Sequence, residues 1–225
     1  MKNWNKIPIP QLILNNCETD SRGLRVPFVV LKDKDGKHHF KINDSEKTIK
    51  CMKDQLCTIC GTKMSYEDRW LVGGIASAFD KGGYYIDHPV HYECGKYALQ
   101  VCPYLAIRNY NGKLDMIKLQ EQFEGEFQLF NPTVDQDRLP FFVFIRPLNI
   151  AYFTSKTDLN DIKLKSLGPY HEVEIWDEGD KITDIEVIKK KLTGTKWEQY
   201  IQPIINFYES YNFRLSKISN QKRGS

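Results

Sequence analysis

The sequence predicts an α+β fold, with β-hairpins and short helices in its first half, then a small antiparallel sheet and C-terminal helices. Three observations carry that reading. Short apolar runs bounded by Gly, Asp and Asn read as strands, as in Val26 to Leu31 and Leu139 to Ile145. Apolar residues at intervals of three and four, as from Cys94 to Leu105, read as helix. Two short Cys/His segments, Cys57-Thr58-Ile59-Cys60 and His91-Tyr92-Glu93-Cys94, stand at metal-ligand spacing.

Taken in order, the stretch to Arg25 is mixed, holds two prolines and reads as a surface arm. Val26 to Leu31 and Lys37 to Ile42 flank Asp33-Lys34-Asp35-Gly36, the pattern of a β-hairpin. Asp44 or Ser45 can cap a helix that puts Ile49, Met52 and Leu56 on one face and delivers the chain to Cys57. Trp70 to Val72 and Tyr84 to Ile86, punctuated by Gly73-Gly74 and Gly82-Gly83, predict a second, irregular hairpin. A helix from about Val90 carries Cys94, Tyr97, Ala98, Val101, Cys102 and Leu105 as a stripe, and Pro103 ends or kinks it.

Tyr110 to Lys113 is a turn and a boundary, after which Asp115 can cap a short helix through Phe123 that Gly125 closes. Leu139 to Ile145, Ile150 to Thr154 and Glu172 to Trp176 read as the strands of a small sheet. Thr183 with Glu186, and Thr195 with Glu198, form capping boxes ahead of two apolar-periodic helices, the second containing Pro203. The division expected is a metal-binding region over residues 1–112, an α+β region over 113–216 packed on it, and a basic tail over 217–225. The Cys94 stripe is too long for a metal knuckle alone to cover, so it should pack on the second region.

Composition narrows the class. Of 225 residues, 41% are hydrophobic, enough to bury a core. The N-terminal residues carry no apolar run of the signal-peptide kind, and no stretch is long enough to cross a bilayer, so the expectation is a cytoplasmic protein with no membrane partner. In a reducing compartment six cysteines stay free or bind metal. A net charge of +3, from 32 basic and 29 acidic residues, is not the strong bias of an electrostatic nucleic-acid binder.

The metal constellation is the sharpest signal. Cys57-x-x-Cys60 followed by Gly61 has the form of a zinc knuckle, with glycine permitting the turn that aims N–H groups at the sulfurs. His91 and Cys94, three apart at a helix start, share a face, and the helix dipole favours the Cys94 thiolate. Knuckle, intervening hairpin and ligand pair in a helix's first turn make a treble-clef-like layout. Three thiolates and one imidazole close a tetrahedron around one structural Zn²⁺ and leave no position for a reactive water. The site then carries a charge of about −1 by the ligand count, which Lys63, Arg69 or Lys96 could soften. His88 is the rival to His91, but it precedes Pro89 and lies outside the helix. Cys102 is two turns from Cys94, and Cys17 and Cys51 have no partner at metal spacing, so all three read as packing thiols.

Catalytic signals fail on order or frame. His91-Tyr92-Glu93 matches the His-x-Glu of zinc deaminases, but the CxxC lies upstream and Cys94 fills the water's place. Treble-clef nucleases carry a hairpin histidine, and Thr62 to Ile86 contains none, while His38-His39 comes too early and reads as an exposed strand pair. The glycine pairs have no phosphate-loop frame, and Lys189-Lys190-Lys191 reads as a solvated helix face.

Val26 onward (VPFVV, a DGK turn, FKI), Leu56 to Gly61, and Pro89-Val90-His91 through Cys94, Tyr97 and Cys102-Pro103-Tyr104-Leu105 resemble a family of zinc-binding proteins of bacteria, phages and prophages. Its pattern runs LCxxCG, then HxxC, then CP[FY]L. Asn131-Pro132 and the stretch from His171 to Leu192 are similar to its closing strand–turn–helix, whereas Gly73 to Pro89 departs from it. The resemblance implies a zinc site and a bacterial or phage setting, and no reaction. The expectation is a zinc-stabilised binding or adaptor protein acting on a host or viral macromolecule, more readily a protein than a nucleic acid. The alternative is a nucleic-acid-processing enzyme on the same scaffold.

Overall fold

The computed structural model describes residues 6–106, 139–154 and 162–210. The expected turn at Tyr110, the helix from Asp115, Asn131-Pro132 and the terminal tail lie outside these residues.

The first region is built around a two-stranded hairpin of β1 (Val30–Lys32) and β2 (His38–Asn43). Its turn is tied by Asp33, whose carboxylate accepts from the Lys37 N–H at 2.8 Å, while Gly36 adopts φ 82°. His38 and His39 are not an exposed pair: His39 Nε2 lies 2.7 Å from the Asp33 carboxylate, and His38 Nε2 3.3 Å from that of Glu18. Asp44, rather than Ser45, caps α2 (Ser45–Asp54), accepting from the Lys47 N–H at 3.1 Å. Cys51 is the residue α2 buries, with Ile49, Met52 and Leu56 half-buried beside it.

The presumed surface arm contains a helix, α1 (Gln11–Asn16), whose Ile13 is wholly buried against the Cys57–Cys60 region. Leu12, Ile13 and Leu14 are consecutive, so they mark no helical face, and only Ile13 is buried.

The second hairpin does not form. Trp70 makes an isolated bridge with Val90, and the chain then continues as β3 (Leu71–Gly73) along β4 (Phe142–Thr154) of the other region. A helix, α3 (Ile75–Phe79), follows at once. Gly83 returns over it so closely that a Cβ would lie 2.4 Å from the Ala76 carbonyl oxygen, which explains a glycine there without any hairpin. Tyr85 instead bridges Leu164.

The main sheet is antiparallel, ordered β3-β4-β5-β6, with β5 at Ile162–Asp177 and β6 at Asp180–Ile182. Strands expected at Leu139 to Ile145 and Ile150 to Thr154 are one strand. Pro147 reads as a break, yet register shifts at Arg146/Pro147 and Pro147/Asn149 carry the pairing past it. α4 (Tyr92–Val101) ends before Pro103, and α5 (Pro103–Ala106) follows. α6 (Ile185–Leu192) is capped by Asp184, one residue after the expected Thr183. A 3₁₀ turn (Glu198–Tyr200) leads into a helix over residues 201–210. Pro203 falls in its first turn, where a missing N–H costs no helical bond.

The sheet has a core on each side. Val143, Ile145 and Ile175 join Leu71, Ile75, Ile188, Leu192 and Ile204 on the face toward the C-terminal helices. Phe144 and Trp176 join Trp70, Val90, Leu99 and the Cys57, Cys60 and Cys94 cluster on the other. Tyr97 and Leu105 of the expected stripe pack partly on this second core, but the residues α4 buries are Cys94, Gly95 and Leu99. Trp70, Tyr92 and Phe144 form a ring cluster with centroids 4.6–5.8 Å apart.

Glycine is demanded at one point of this contact. A Cβ on Gly95 would lie 2.6 Å from the Phe144 ring and 2.8 Å from Val90 Cγ2. Gly95→Ala should therefore destabilise the fold by about 1–3 kcal/mol through overpacking. Gly82→Ala, where a Cβ meets nothing within 4 Å, should shift stability by less than about 0.5 kcal/mol. Paired urea titrations check both, and equal effects would show that α4 and the sheet do not bear on each other as described.

Candidate metal centre

Each ligand segment is shaped by its own backbone. Leu56 bridges Lys63, Cys57 N–H donates to the Thr62 carbonyl at 2.8 Å, and Gly61 N–H donates to the Cys57 carbonyl at 2.8 Å. Gly61 sits at φ 70° with the Phe28 ring against it, so a side chain there would meet both strain and a clash. This tight loop turns Cys57 and Cys60 to one side.

His91 occupies the N-cap position of α4 but makes no side-chain cap. Its ring turns inward, and Asp68 takes over the capping role, accepting from the Tyr92 N–H at 2.8 Å. Cys94 follows in the helix's first turn, wholly buried.

The four side chains converge. One ligand atom from each of Cys57, Cys60, His91 and Cys94 lies within 4.8 Å of all the others, and all four residues are buried. A zinc ion with bonds of about 2.3 Å to sulfur and 2.0 Å to nitrogen sets ligand separations of roughly 3.5–3.8 Å. The Cys60 Sγ to His91 Nδ1 separation of 3.4 Å is close to that. The cluster fits one zinc-like ion.

Its surroundings suit a cation as well. His91 Nε2 lies 3.3 Å from the Lys63 carbonyl oxygen, which fixes the ring and leaves Nδ1 to face the sulfurs. Thr62 Oγ1 lies 3.1 Å from Cys60 Sγ, where a hydroxyl donates to thiolate. Hydrogen bonding, to Cys57 first and Cys60 next, raises His91 to about 10. Contacts among the sulfurs, with Cys57 first for both, drive Cys60 far below the thiol range and Cys94 far above it. Three sulfurs this close cannot all ionise unless a cation joins them, and a divalent ion removes that conflict.

The other candidates stand apart. Cys17 Sγ donates to the Ile59 carbonyl at 3.2 Å, and burial pushes its thiol up to about 11. Burial pushes Cys51 up to about 12. Both are packing thiols, as expected, and Cys102 is half-buried at the end of α4. Lys96 and Arg69 lie over the rings of Tyr92 and Tyr66.

His88 is not a ligand. It is 3% exposed, neither ring nitrogen has a partner, and its ring lies 5.8 Å from that of Tyr152. The Asp87 carboxylate instead takes a hydrogen bond from Asn43 at 3.2 Å, so the two adjacent side chains do not form an acid–base pair. Sequence spacing could not find this buried histidine, because Pro89 hides any periodicity. The backbone shows its use: Thr58 N–H donates to the Pro89 carbonyl, clamping this segment to the knuckle.

No family model matches the chain, and neither a curated protein nor a solved structure matches it. Among the described residues no helix is long and apolar enough to cross a membrane.

Burial lowers His88 to about 4. A base depressed in the folded state is protonated first in the unfolded chain. Its neutral burial therefore costs nothing above about pH 6.5, and stability falls as pH drops from there toward 4. The full loss is about 3 kcal/mol. Proton competition for the metal ligands acts on wild type and variant alike. The stability of His88→Phe relative to wild type should thus rise between pH 7 and pH 5, by urea titration, and a constant difference would contradict it.

Proposed function

We propose that this is a zinc-stabilised binding or adaptor protein, in which one Zn²⁺ in a treble-clef-like site is structural and another macromolecule is the target. One observation supports it above all: Cys57, Cys60, His91 and Cys94 are all buried and together supply a full tetrahedral set. Zinc held by three thiolates and an imidazole has no open position for water or substrate, whereas catalytic zinc keeps one. The enzyme alternative asked for a histidine and carboxylate in a pocket beside the metal, and His88 and Asp87 are directed apart.

Zinc outranks other divalent ions here on ligand chemistry. Thiolates select soft metals, and tetrahedral sulfur–nitrogen coordination suits Zn²⁺, which brings no redox chemistry of its own. The energetic role follows from size. Structural zinc supplies about 10–16 kcal/mol in small sites, comparable to the 5–15 kcal/mol that stabilises a whole domain. Because the cluster shares a core with Phe144 and Trp176 of the sheet, metal loss should reach both halves.

Protein purified without added metal should carry about one equivalent of zinc. Cys57→Ser, Cys60→Ser or Cys94→Ser should unfold or aggregate it. A chelator should abolish dispersion across the whole amide spectrum, including signals from the main sheet. Full metal content with unchanged melting in the serine variants would sink the assignment.

The closed character has its own check. Cobalt-substituted protein should show tetrahedral d–d bands that azide and cyanide leave unmoved. A spectrum that shifts on adding either anion would reveal an exchangeable position and favour an enzyme.

A further inference from the structure

In the far half of the β4–β5 hairpin one face is buried at Ile162 and Leu164, although Tyr152 on that face is 39% exposed. Ile162 and Leu164 point into the molecule and are buried. Strand alternation turns Lys163, Lys165 and Leu167 the other way. Their partners across the hairpin are Phe153, Ala151 and Asn149. On the other side of β5, Tyr85 is joined to Leu164 by two backbone hydrogen bonds of 2.7 and 2.8 Å. Tyr85 is buried, so its neighbours Tyr84 and Ile86 fall on the open face.

Eight residues from three adjacent chain segments thus share one surface. Tyr84, Phe153 and Leu167 are 44%, 43% and 45% exposed. Lys163 Nζ lies 5.2 Å from the centroid of the Tyr84 ring. Two of the eight are lysines and none is acidic. Exposed rings interleaved with cations on a sheet surface complement a polymer that carries flat π-systems on an anionic backbone. A protein partner fits less well, since protein–protein interface cores exclude lysine.

We propose that this face binds single-stranded nucleic acid, with bases stacked on Tyr84 and Phe153 and phosphates held by Lys163 and Lys165. The inference rests on the reading of the protein as a binding module, and it names the class of partner. Tyr84 stands opposite Lys165 and Phe153 opposite Lys163, so two strand spacings of about 4.8 Å and a two-residue offset of about 6.8 Å place the rings roughly 12 Å apart, a span of two to three nucleotides. Duplex DNA keeps its bases stacked internally and cannot use the rings, so single strands bind in preference. A net charge of +3 is no obstacle, because recognition here is local and mostly by stacking.

Fluorescence anisotropy of the zinc-loaded full chain with a 5′-fluorescein oligothymidylate of about fifteen nucleotides tests it. Saturable binding is expected, weakening with salt along a log–log slope near −1.4 for two phosphate contacts. A duplex of equal length should bind several-fold more weakly. Tyr84→Ala and Phe153→Ala should each weaken binding about tenfold, Tyr84→Phe should not, and Lys163→Glu with Lys165→Glu should abolish it. Zinc content and melting should stay unchanged in all of them. Absence of binding at about 100 μM, or binding indifferent to these substitutions, would overturn the proposal. So would self-association of the wild type that Phe153→Ala removes in sedimentation, which would make the face an interface between copies. Any of these leaves the cobalt spectrum and metal content as they are, whereas failure of the binding-module reading would appear in that spectrum as an exchangeable ligand.

Discussion

Four buried metal-seeking side chains from two segments some thirty residues apart must be reconciled with one another before anything else in this fold can settle. Three sulfurs and an imidazole, buried within 4.8 Å of one another, cannot carry three thiolate charges without a counter-charge among them. A divalent cation held by the four would resolve this, and would pin the Cys57–Cys60 loop to the first turn of α4. The chain between them, from Thr62 to Val90, would thereby be closed into a loop whose ends are fixed. β3 and α3 lie within that loop, so the metal centre would also fix where the first half of the chain meets the main sheet.

That sheet is the wall between two cores, and its alternation decides which side each residue serves. Phe144 meets Trp70, Tyr92 and Gly95 on the metal side, while Val143 and Ile145 meet the C-terminal helices on the other. Glu174 is the polar member of the metal side. Its carboxylate accepts from the Tyr92 hydroxyl at 3.2 Å, the Trp176 indole at 2.9 Å and the Lys181 ammonium at 2.7 Å. A buried carboxylate with three donors is tolerable, and one without them is not. Burial, with Glu174 adding to it, pushes the Tyr92 phenol up to about 12, so it stays a donor across the physiological range. Packing and a directional network together hold α4 against β4 and β5.

What the sequence showed well was local. The two ligand pairs, the Asp33–Gly36 turn, the Asp44 cap and the stop at Pro103 each rest on chemistry within a few residues, and each stands where that chemistry puts it. What it hid was non-local. Leu71 to Gly73 looks like half of a hairpin, because nothing in its own composition says that its partner is Val143 to Ile145, some seventy residues on. Gly82-Gly83 does lie at a turn, with the Gly83 N–H donating to the Asp80 carbonyl at 3.1 Å, but the glycine at 83 is also required by the carbonyls of Ala76 and Ser77. Pro147 and Gly168-Pro169 look like strand ends, because bulged pairing depends on the partner strand and leaves no mark on either one alone. Ile13 was invisible for a plainer reason: a single buried residue has no period.

The same bulges explain why one hairpin serves two purposes. Before them, Phe142 to Ile145 and Val173 to Trp176 lie between the two cores. At them, Pro147 cannot donate to the ladder, and Arg146 grips Glu172 with two hydrogen bonds of 2.9 and 2.7 Å across the shift. Bulges increase local twist, and beyond them Leu164 and Tyr85 still belong to the core on the side of the C-terminal helices. The far half is held there through Leu164 and Tyr85, and by the Tyr66 hydroxyl on Leu148 and Asn149, while Tyr84 and Phe153 stay exposed. A surface carried on paired strands keeps its side chains at fixed spacing, which a loop of the same composition would not. The Cys57, Cys60, His91 and Cys94 cluster, although remote from that surface in sequence, shares a core with Phe144 and Trp176 of the same sheet.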